Sequence, residues 1–320
     1  MKRKMEISEL IFKVISYVLL IILAVCCIYP FIYAISSSFS VTSGVDGGEV
    51  VLWPVGFQTE AYRYVLSNNT FWISYANTLF MAFVGTLWCM LYTMMGAYAL
   101  SKKRLMGRRA FNFFLVFTMW FSAGVVPTYL NYLTTGDVLA SILAPGSTHS
   151  QALYDQKWLI IIAMGMNAQN VILLRNAFEG VPAEIEEAAR IDGATEMQVL
   201  FKVYIPMSKA TIATVALFFG ISRWNGYFWA MRMMSNQEFS WPVQVYIRNF
   251  IDNHTGLIEQ PQDGNFWHEI TQGTSYDPNV VSAMSVVYAM VICAVIPILC
   301  IYPFIQKYFA KGVNMGGVKE

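Results

Sequence analysis

Long stretches without a charged residue alternate with short polar segments along this chain. The charge-free stretches cover residues 14–45, 64–101, 110–136, 158–174 and 278–306. A further apolar stretch, 203–222, is interrupted only by Lys209. A helix that crosses a bilayer needs about 20 mostly apolar residues, because its backbone polar groups must be satisfied internally and buried charge is costly. The pattern therefore predicts membrane-spanning helices near residues 14–36, 75–100, 111–133, 157–177, 207–228 and 281–305.

The overall composition supports a membrane protein. Hydrophobic residues make up 56% of the chain and charged residues only 13%, whereas soluble domains have about 25% charged residues. The net charge of +1 argues against a nucleic-acid-binding protein, which would need a strongly basic stripe. We therefore expect one all-α transmembrane domain over residues 1–320, with six spans.

The distribution of Lys and Arg predicts the orientation of these spans. Basic residues are retained on the cytoplasmic side of a membrane. With the N-terminus inside, sixteen of the 21 Lys and Arg residues fall in inner segments, and the other five are Arg63, Lys157, Arg223, Arg232 and Arg248. Both termini are therefore expected in the cytoplasm.

No catalytic or metal-binding motif is recognisable in the sequence. It has no Gly-x-x-x-x-Gly-Lys-Ser/Thr phosphate-binding loop, so ATP-driven transport would require a separate ATPase. The histidines, His149, His254 and His268, fall in predicted outer loops outside any metal motif. We therefore expect this chain to have no catalytic residue, no metal ligand and no cofactor of its own.

Two other functions remain open at this point. A secondary transporter should have ionisable side chains in the middle of its spans, whereas the predicted span centres contain none. A polytopic membrane enzyme would need convergent acid–base groups, for which the acidic residues of the outer loop near 229–280 are the candidates. That loop has no motif that we recognise.

The polar segment between the fourth and fifth predicted spans has strong helix signals. Pro182 suits the start of a helix, and the glutamates after it lie near the positive end of the helix dipole. Glu186 and Arg190 form an i,i+4 pair, and Gly193 suits a left-handed turn at the end. Thr195 and Gln198 then match a capping box that starts a second helix.

The same segment resembles the "EAA" signature of ABC importer permeases. Glu187-Ala188-Ala189 is followed by Gly193 and, at the spacing of the signature, by Val203-Tyr204-Ile205-Pro206, with Val for Ile and Ile for Leu as the departures. Further stretches resemble the carbohydrate-uptake group, and most of all the second permease of oligosaccharide systems. These are 52–54, 98–101 with the basic loop after it, 126–130 and 173–176.

This resemblance implies import of a carbohydrate, of the oligosaccharide class, across the bacterial cytoplasmic membrane. It implies a coupling helix that docks on the ATPase, and it assigns that coupling to Glu184, Glu187, Ala188, Ala189, Gly193 and Pro206. The implied partners are a second homologous permease, two copies of an ABC ATPase subunit and an extracytoplasmic sugar-binding protein. ATP and Mg would be bound by the ATPase subunits.

A sugar path should combine aromatic rings, which pack on the apolar faces of sugars, with amides and hydroxyls. The candidates of these types are Asn77, Ser122, Trp224, Asn225, Tyr227 and Trp229. An interfacial aromatic belt and hydrogen bonds between helices are the alternative explanations. The resemblance also implies that the partner permease provides sugar contacts, so specificity for the sugar need not reside in this chain.

Overall fold

A computed structural model describes residues 7–121, 123–143, 157–234, 238–254 and 281–313. Within these ranges every regular element is helical, which confirms the all-α prediction. The chain divides into two compact units. One contains Met1–Trp72 and Ile247–Ile296, and the other contains Ile73–Tyr246 and Pro297–Glu320.

The first unit begins with the longest apolar helix of the N-terminal region. Its regular elements are Ile7–Ser38, Thr42–Asp46 and Glu60–Ser67, with parts of the helices Asn69–Ser101, Val243–His254 and Ala283–Val313. Large apolar side chains along Ile7–Ser38 are exposed, as expected for a helix surrounded by lipid. At the end of this helix, the Ser36 hydroxyl donates to the Leu52 carbonyl over 2.7 Å. This bond ties the following loop to the helix.

The second unit contains the segments in which the sequence predicts a functional site. Its elements are Asn69–Ser101, Arg108–Trp120, Val125–Leu143, Lys157–Ala163, Ala168–Glu179, Ala183–Ile191, Glu196–Val199, the π-helix Leu200–Tyr204, Ile205–Met207, Lys209–Trp224, Tyr227–Met233 and the 3-10 helix Glu238–Ser240. A core of buried side chains, among them Cys89, Tyr98, Leu174 and Phe219, joins several of these helices.

Among the described residues, three helices are long and apolar enough to cross a membrane. They include Ser8–Ser38, Asn69–Ser101 and Ala283–Pro303. The segments Glu196–Met207 and Lys209–Trp224 qualify together as a fourth, bent by 90°. The chain is thus built for several membrane crossings.

Two of the predicted spans coincide with pairs of shorter helices. The segment near 111–133 covers the end of Arg108–Trp120 and the start of Val125–Leu143, with Gly124 between them at φ +85°. The segment near 157–177 covers Lys157–Ala163 and part of Ala168–Glu179. There the Asn167 side chain accepts a hydrogen bond from the Asn170 N–H over 3.1 Å. This N-cap starts a new helix inside the apolar stretch.

Candidate functional site

The helix Ala183–Ile191, hereafter the loop helix, lies where the sequence predicts it. Pro182 occupies the N-cap position with φ −56° and ψ 135°, one residue before the helical position expected for it. Glu184 and Glu186 lie in the first turn, where the helix dipole favours negative charge. The loop helix therefore begins as its sequence indicates.

A Schellman motif ends the loop helix. Gly193 has φ +79°. Its N–H donates to the Arg190 carbonyl over 3.0 Å, and the Ala194 N–H donates to the Ala189 carbonyl over 3.0 Å. This pair of bonds satisfies carbonyls that would otherwise lack partners, and it requires the left-handed residue that glycine provides.

The helix that follows the loop helix, Glu196–Val199, starts with the predicted capping box. The Thr195 hydroxyl accepts from the Gln198 N–H over 3.4 Å, and the Gln198 side chain accepts from the Thr195 N–H over 2.8 Å. The chain then continues through the π-helix Leu200–Tyr204 to Pro206, which is exposed close to the 90° bend. The loop helix is therefore held between defined turns.

The loop helix has two different faces. Glu184, Glu187 and Ala188 are exposed, and Ile191 is 86% exposed. These positions share one side of a helix by their i, i+3, i+4 and i+7 spacing. Ala189 is half-buried and packs on the core of the second unit. An apolar and acidic face is thus left for a partner.

Glu186 holds the opposite face in place. Its carboxylate lies 2.8 Å from the Lys102 Nζ and 2.6 Å from Nη2 of Arg190. It also accepts a hydrogen bond from the Tyr204 hydroxyl over 2.5 Å. The Lys102 ammonium lies over the ring of Tyr98, 4.1 Å from its centroid. The sequence predicts the Glu186–Arg190 pair, but spacing along the chain has no signal for the contact with Lys102.

The ionised form of Glu186 is stabilised by these neighbours. Burial raises the pKa of the carboxyl, but the contacts with Lys102 and Tyr204 and the positive charge of Arg190 outweigh burial, so its pKa is below the ordinary value. Glu186 is therefore a fixed negative charge at neutral pH.

A second ion-pair cluster joins the basic loop after Ser101 to the start of the helix Glu196–Val199. Glu196 lies 2.5 Å from Nη2 of Arg104 and 3.0 Å from Nη2 of Arg190. It also accepts from the Tyr98 hydroxyl over 2.8 Å. The basic loop that the sequence marks as cytoplasmic is therefore bonded to the segment around the loop helix.

Two of the six sugar-path candidates, Asn77 and Trp224, are buried in the second unit. Asn77 is only 6% exposed. It donates to the carbonyls of Phe239 over 2.6 Å and Trp241 over 3.2 Å, and it accepts from the Lys157 Nζ over 2.8 Å. Trp224 is buried and packs edge-on against a tyrosine ring. These two residues are fully engaged in helix packing.

The remaining candidates are more accessible. Asn225 and Tyr227 are exposed, and Trp229 is half-buried in an edge-on contact with Tyr132 at 4.9 Å between ring centroids. Ser122 lies outside the described residues, as does most of the outer loop near 229–280. Trp229 contacts Tyr132, which lines a cavity, and Trp224 lines a second, smaller cavity.

Arg223, which the charge count assigns to the outer side, has polar contacts with a neighbouring helix segment. It is half-buried, and its Nη1 donates to the Ile160 carbonyl over 2.8 Å. Its Nη2 donates to the Met164 carbonyl and to the Cys89 Sγ, the latter over 3.0 Å. The main-chain acceptors lie in the last turn of Lys157–Ala163 and directly after it. Nothing in the local sequence marks this contact.

The segment that includes the loop helix also falls within a protein-family match. Residues 93–315 match the family described as "Binding-protein-dependent transport system inner membrane component". The chain belongs to this family. With several helices fit to cross a bilayer, the permease is a multi-pass protein of the cytoplasmic membrane.

Similar proteins agree with this assignment. The permease is 33% identical to the polygalacturonan/rhamnogalacturonan transport system permease protein YtcP of Bacillus subtilis (strain 168), over 97% of this chain and 98% of that protein. It is 34% identical to Protein LplC of the same organism, over 91% of this chain and 89% of that protein.

A solved structure is also similar along nearly the whole length. It is the crystal structure of a bacterial ABC transporter involved in the import of the acidic polysaccharide alginate. The match has a TM-score of 0.79 and 40% identity, and it covers 96% of this chain and 100% of that chain.

Proposed function

We propose that this permease imports a saccharide, using ATP hydrolysed by separate ATPase subunits that dock on the loop helix. The observation that supports docking is the division of the loop helix into an exposed face and a face fixed by Glu186. A short amphipathic helix inserts its free face into a groove of a partner. Glu187, Ala188 and Ile191 are the residues offered to that groove.

The proposed topology has six spans in a single transmembrane domain, with both termini in the cytoplasm. The apolar helices and the bent pair account for part of this number. The excess of Lys and Arg in the inner segments favours the orientation. In this orientation the loop helix faces the cytoplasm, where ATP is available.

The proposed assembly contains this chain, a second permease, two ATPase copies and an extracytoplasmic sugar-binding protein. The sequence of this chain lacks a phosphate-binding loop, so ATP and Mg belong to the ATPase subunits. This chain would contribute no catalytic residue and bind no cofactor.

The coupling step follows from the ion pairs behind the loop helix. A partner that pushes on Glu187 and Ala188 displaces the loop helix. The other face of the loop helix is bonded to Lys102, which directly follows the helix Asn69–Ser101. Because Asn69–Ser101 is long enough to span the bilayer, a movement at its cytoplasmic end reaches the membrane interior. The loop helix then acts as a lever between ATPase closure and opening of the sugar path.

A saccharide is the proposed substrate because the similar proteins are named for saccharide transport and uptake. They include a permease for polygalacturonan and rhamnogalacturonan and an importer of alginate. The second unit offers the mixture of aromatic and amide side chains that sugars require, with Tyr132 and Trp229 in contact beside polar residues.

The test is affinity purification of the tagged complex in detergent, comparing the wild type with Glu187→Arg. The control is Glu49→Arg, which makes the same charge change on an exposed acidic residue of the first unit. We expect the ATPase and a second permease to copurify with the wild type and the control, and the ATPase to be lost with Glu187→Arg. A chain that purifies alone in all cases would contradict the proposal and favour a secondary transporter.

A further inference from the structure

A cavity of about 400 Å³ lies inside the second unit. This volume is within the range of small-ligand sites, about 300–1,000 Å³. Its polar lining comes from the helices Val125–Leu143, Ala168–Glu179 and Lys209–Trp224. Asn167, the N-cap residue of Ala168–Glu179, also contributes to it. The polar residues are Tyr132, Asn167, Gln169, Asn170, Ser222 and Arg223. The cavity thus combines amides, hydroxyls, an aromatic ring and one cation.

The cation has no carboxylate partner in the described part of the chain. Arg223 is bonded there to main-chain carbonyls and to the Cys89 Sγ, all of them uncharged acceptors. Those carbonyls hold the guanidinium in position but leave its unit charge uncompensated. An ionised side chain within an apolar region is costly, and in membrane proteins it marks a functional site by default.

The start of the helix Ala168–Glu179 adds to the positive potential. Asn167, Gln169 and Asn170 belong to its N-cap and first turn, and all three line the cavity. The positive end of a helix dipole and the free N–H groups of its first turn favour anions. Asn170 is only 6% exposed and lines the cavity, so its side-chain amide is a polar group on a largely buried part of the wall. Buried polar groups are expected to have hydrogen-bond partners, and a ligand or water can provide them.

We propose that this cavity binds a carboxylated sugar unit, such as a uronic acid, of the transported saccharide. This inference rests on the saccharide import proposed above. Arg223 and the helix start attract the carboxylate, and the amides of Gln169 and Asn170 with the Ser222 hydroxyl bond to sugar hydroxyls. A neutral sugar of the same size leaves the Arg223 charge unpaired and binds less tightly.

The test is cysteine labelling of the purified full complex, in the resting state and trapped with ATP and vanadate. Gln169→Cys places a thiol at an exposed position on the cavity wall. The matched control is Asn131→Cys, which is exposed next to Tyr132 but outside the cavity lining. The unmodified chain gives the background of its exposed cysteines, Cys26, Cys27 and Cys300.

The probes are trigalacturonate, maltotriose and inorganic phosphate at equal concentration. One charge-assisted hydrogen bond changes affinity roughly tenfold. We therefore expect trigalacturonate to slow the labelling of Gln169→Cys about tenfold more than maltotriose or phosphate does, with Asn131→Cys unaffected. Equal protection by both sugars, protection by phosphate alone, no protection, or no labelling in either state would each overturn the inference.

Uptake by the wild-type complex in proteoliposomes separates this inference from the proposed function. Saccharide uptake without selective protection of Gln169→Cys overturns the cavity assignment alone. A complex that binds its ATPase but takes up no saccharide overturns the proposed import function.

Discussion

The Lys102 ammonium lies 2.8 Å from a carboxylate oxygen of Glu186. Lys102 directly follows the helix Asn69–Ser101, and Glu186 lies in the first turn of the loop helix. Their side chains are only 10% and 17% exposed. The contact therefore joins an apolar membrane helix to the segment on which the ATPase is proposed to act.

Replacing Glu186 should separate the structural role of the loop helix from its docking role. Glu186→Gln leaves the buried Lys102 ammonium without its counter-charge, and the loss of one partner of a buried pair costs about 3 kcal/mol of stability. We expect a lower melting temperature of the purified complex. The matched variant Glu187→Gln removes a carboxylate on the exposed face of the same helix. It should weaken retention of the ATPase and lower the melting temperature less than Glu186→Gln does, because it leaves no buried charge unpaired. Equal melting temperatures for the two variants would contradict this division.

Acidic pH should remove the higher thermal stability of the wild type relative to Glu186→Gln. Because the pKa of Glu186 is below its ordinary value, its ionised form stabilises the fold at neutral pH, and this contribution disappears as the pH falls through the folded pKa. The difference in melting temperature between the two proteins should be constant near neutral pH and should narrow below about pH 4. A difference that widens on acidification would show that the carboxylate does not stabilise the fold.

At Gly193, in the turn after the loop helix, asparagine should be tolerated better than valine. Gly193 has φ +79°, and a Cβ there would have nothing within 4 Å. The penalty for a side chain therefore comes from the backbone, about 1–2 kcal/mol, and β-branched residues resist this conformation most. We expect Gly193→Val to reduce uptake and sugar-stimulated ATPase activity, and Gly193→Asn to retain most of both. Normal coupling in Gly193→Val would disprove the need for this turn.

Asn77 should behave as a packing residue and not as a sugar ligand. Asn77→Ala removes its bonds to the Phe239 and Trp241 carbonyls and to Lys157. Buried groups left without partners cost about 1–3 kcal/mol. We expect reduced thermal stability with an unchanged KM for the sugar in the protein that remains folded. Asn225→Ala, at an exposed position, is the control and should keep full stability. A raised KM with normal stability in Asn77→Ala would instead place Asn77 on the sugar path.

Features that depend on neighbours along the chain were predictable from the sequence alone. Apolar stretches predicted an all-helical membrane protein, and the "EAA" segment predicted the family. The Thr195–Gln198 capping box, the Glu186–Arg190 pair and the left-handed Gly193 follow from residue type and helical spacing, because each involves groups within about one helical turn.

The tertiary structure decided which distant groups meet. It brought Lys102 to Glu186, Arg104 to Glu196 and Arg223 to the carbonyls at the end of Lys157–Ala163. It also divided two apolar stretches into pairs of helices, although their composition fits continuous spans equally well. Hydrophobic periodicity indicates that a residue lies in a helix, but it does not indicate which side chain a charged residue will contact. That partner depends on how the helices pack. An unpaired polar group becomes costly only when packing of the helices buries it.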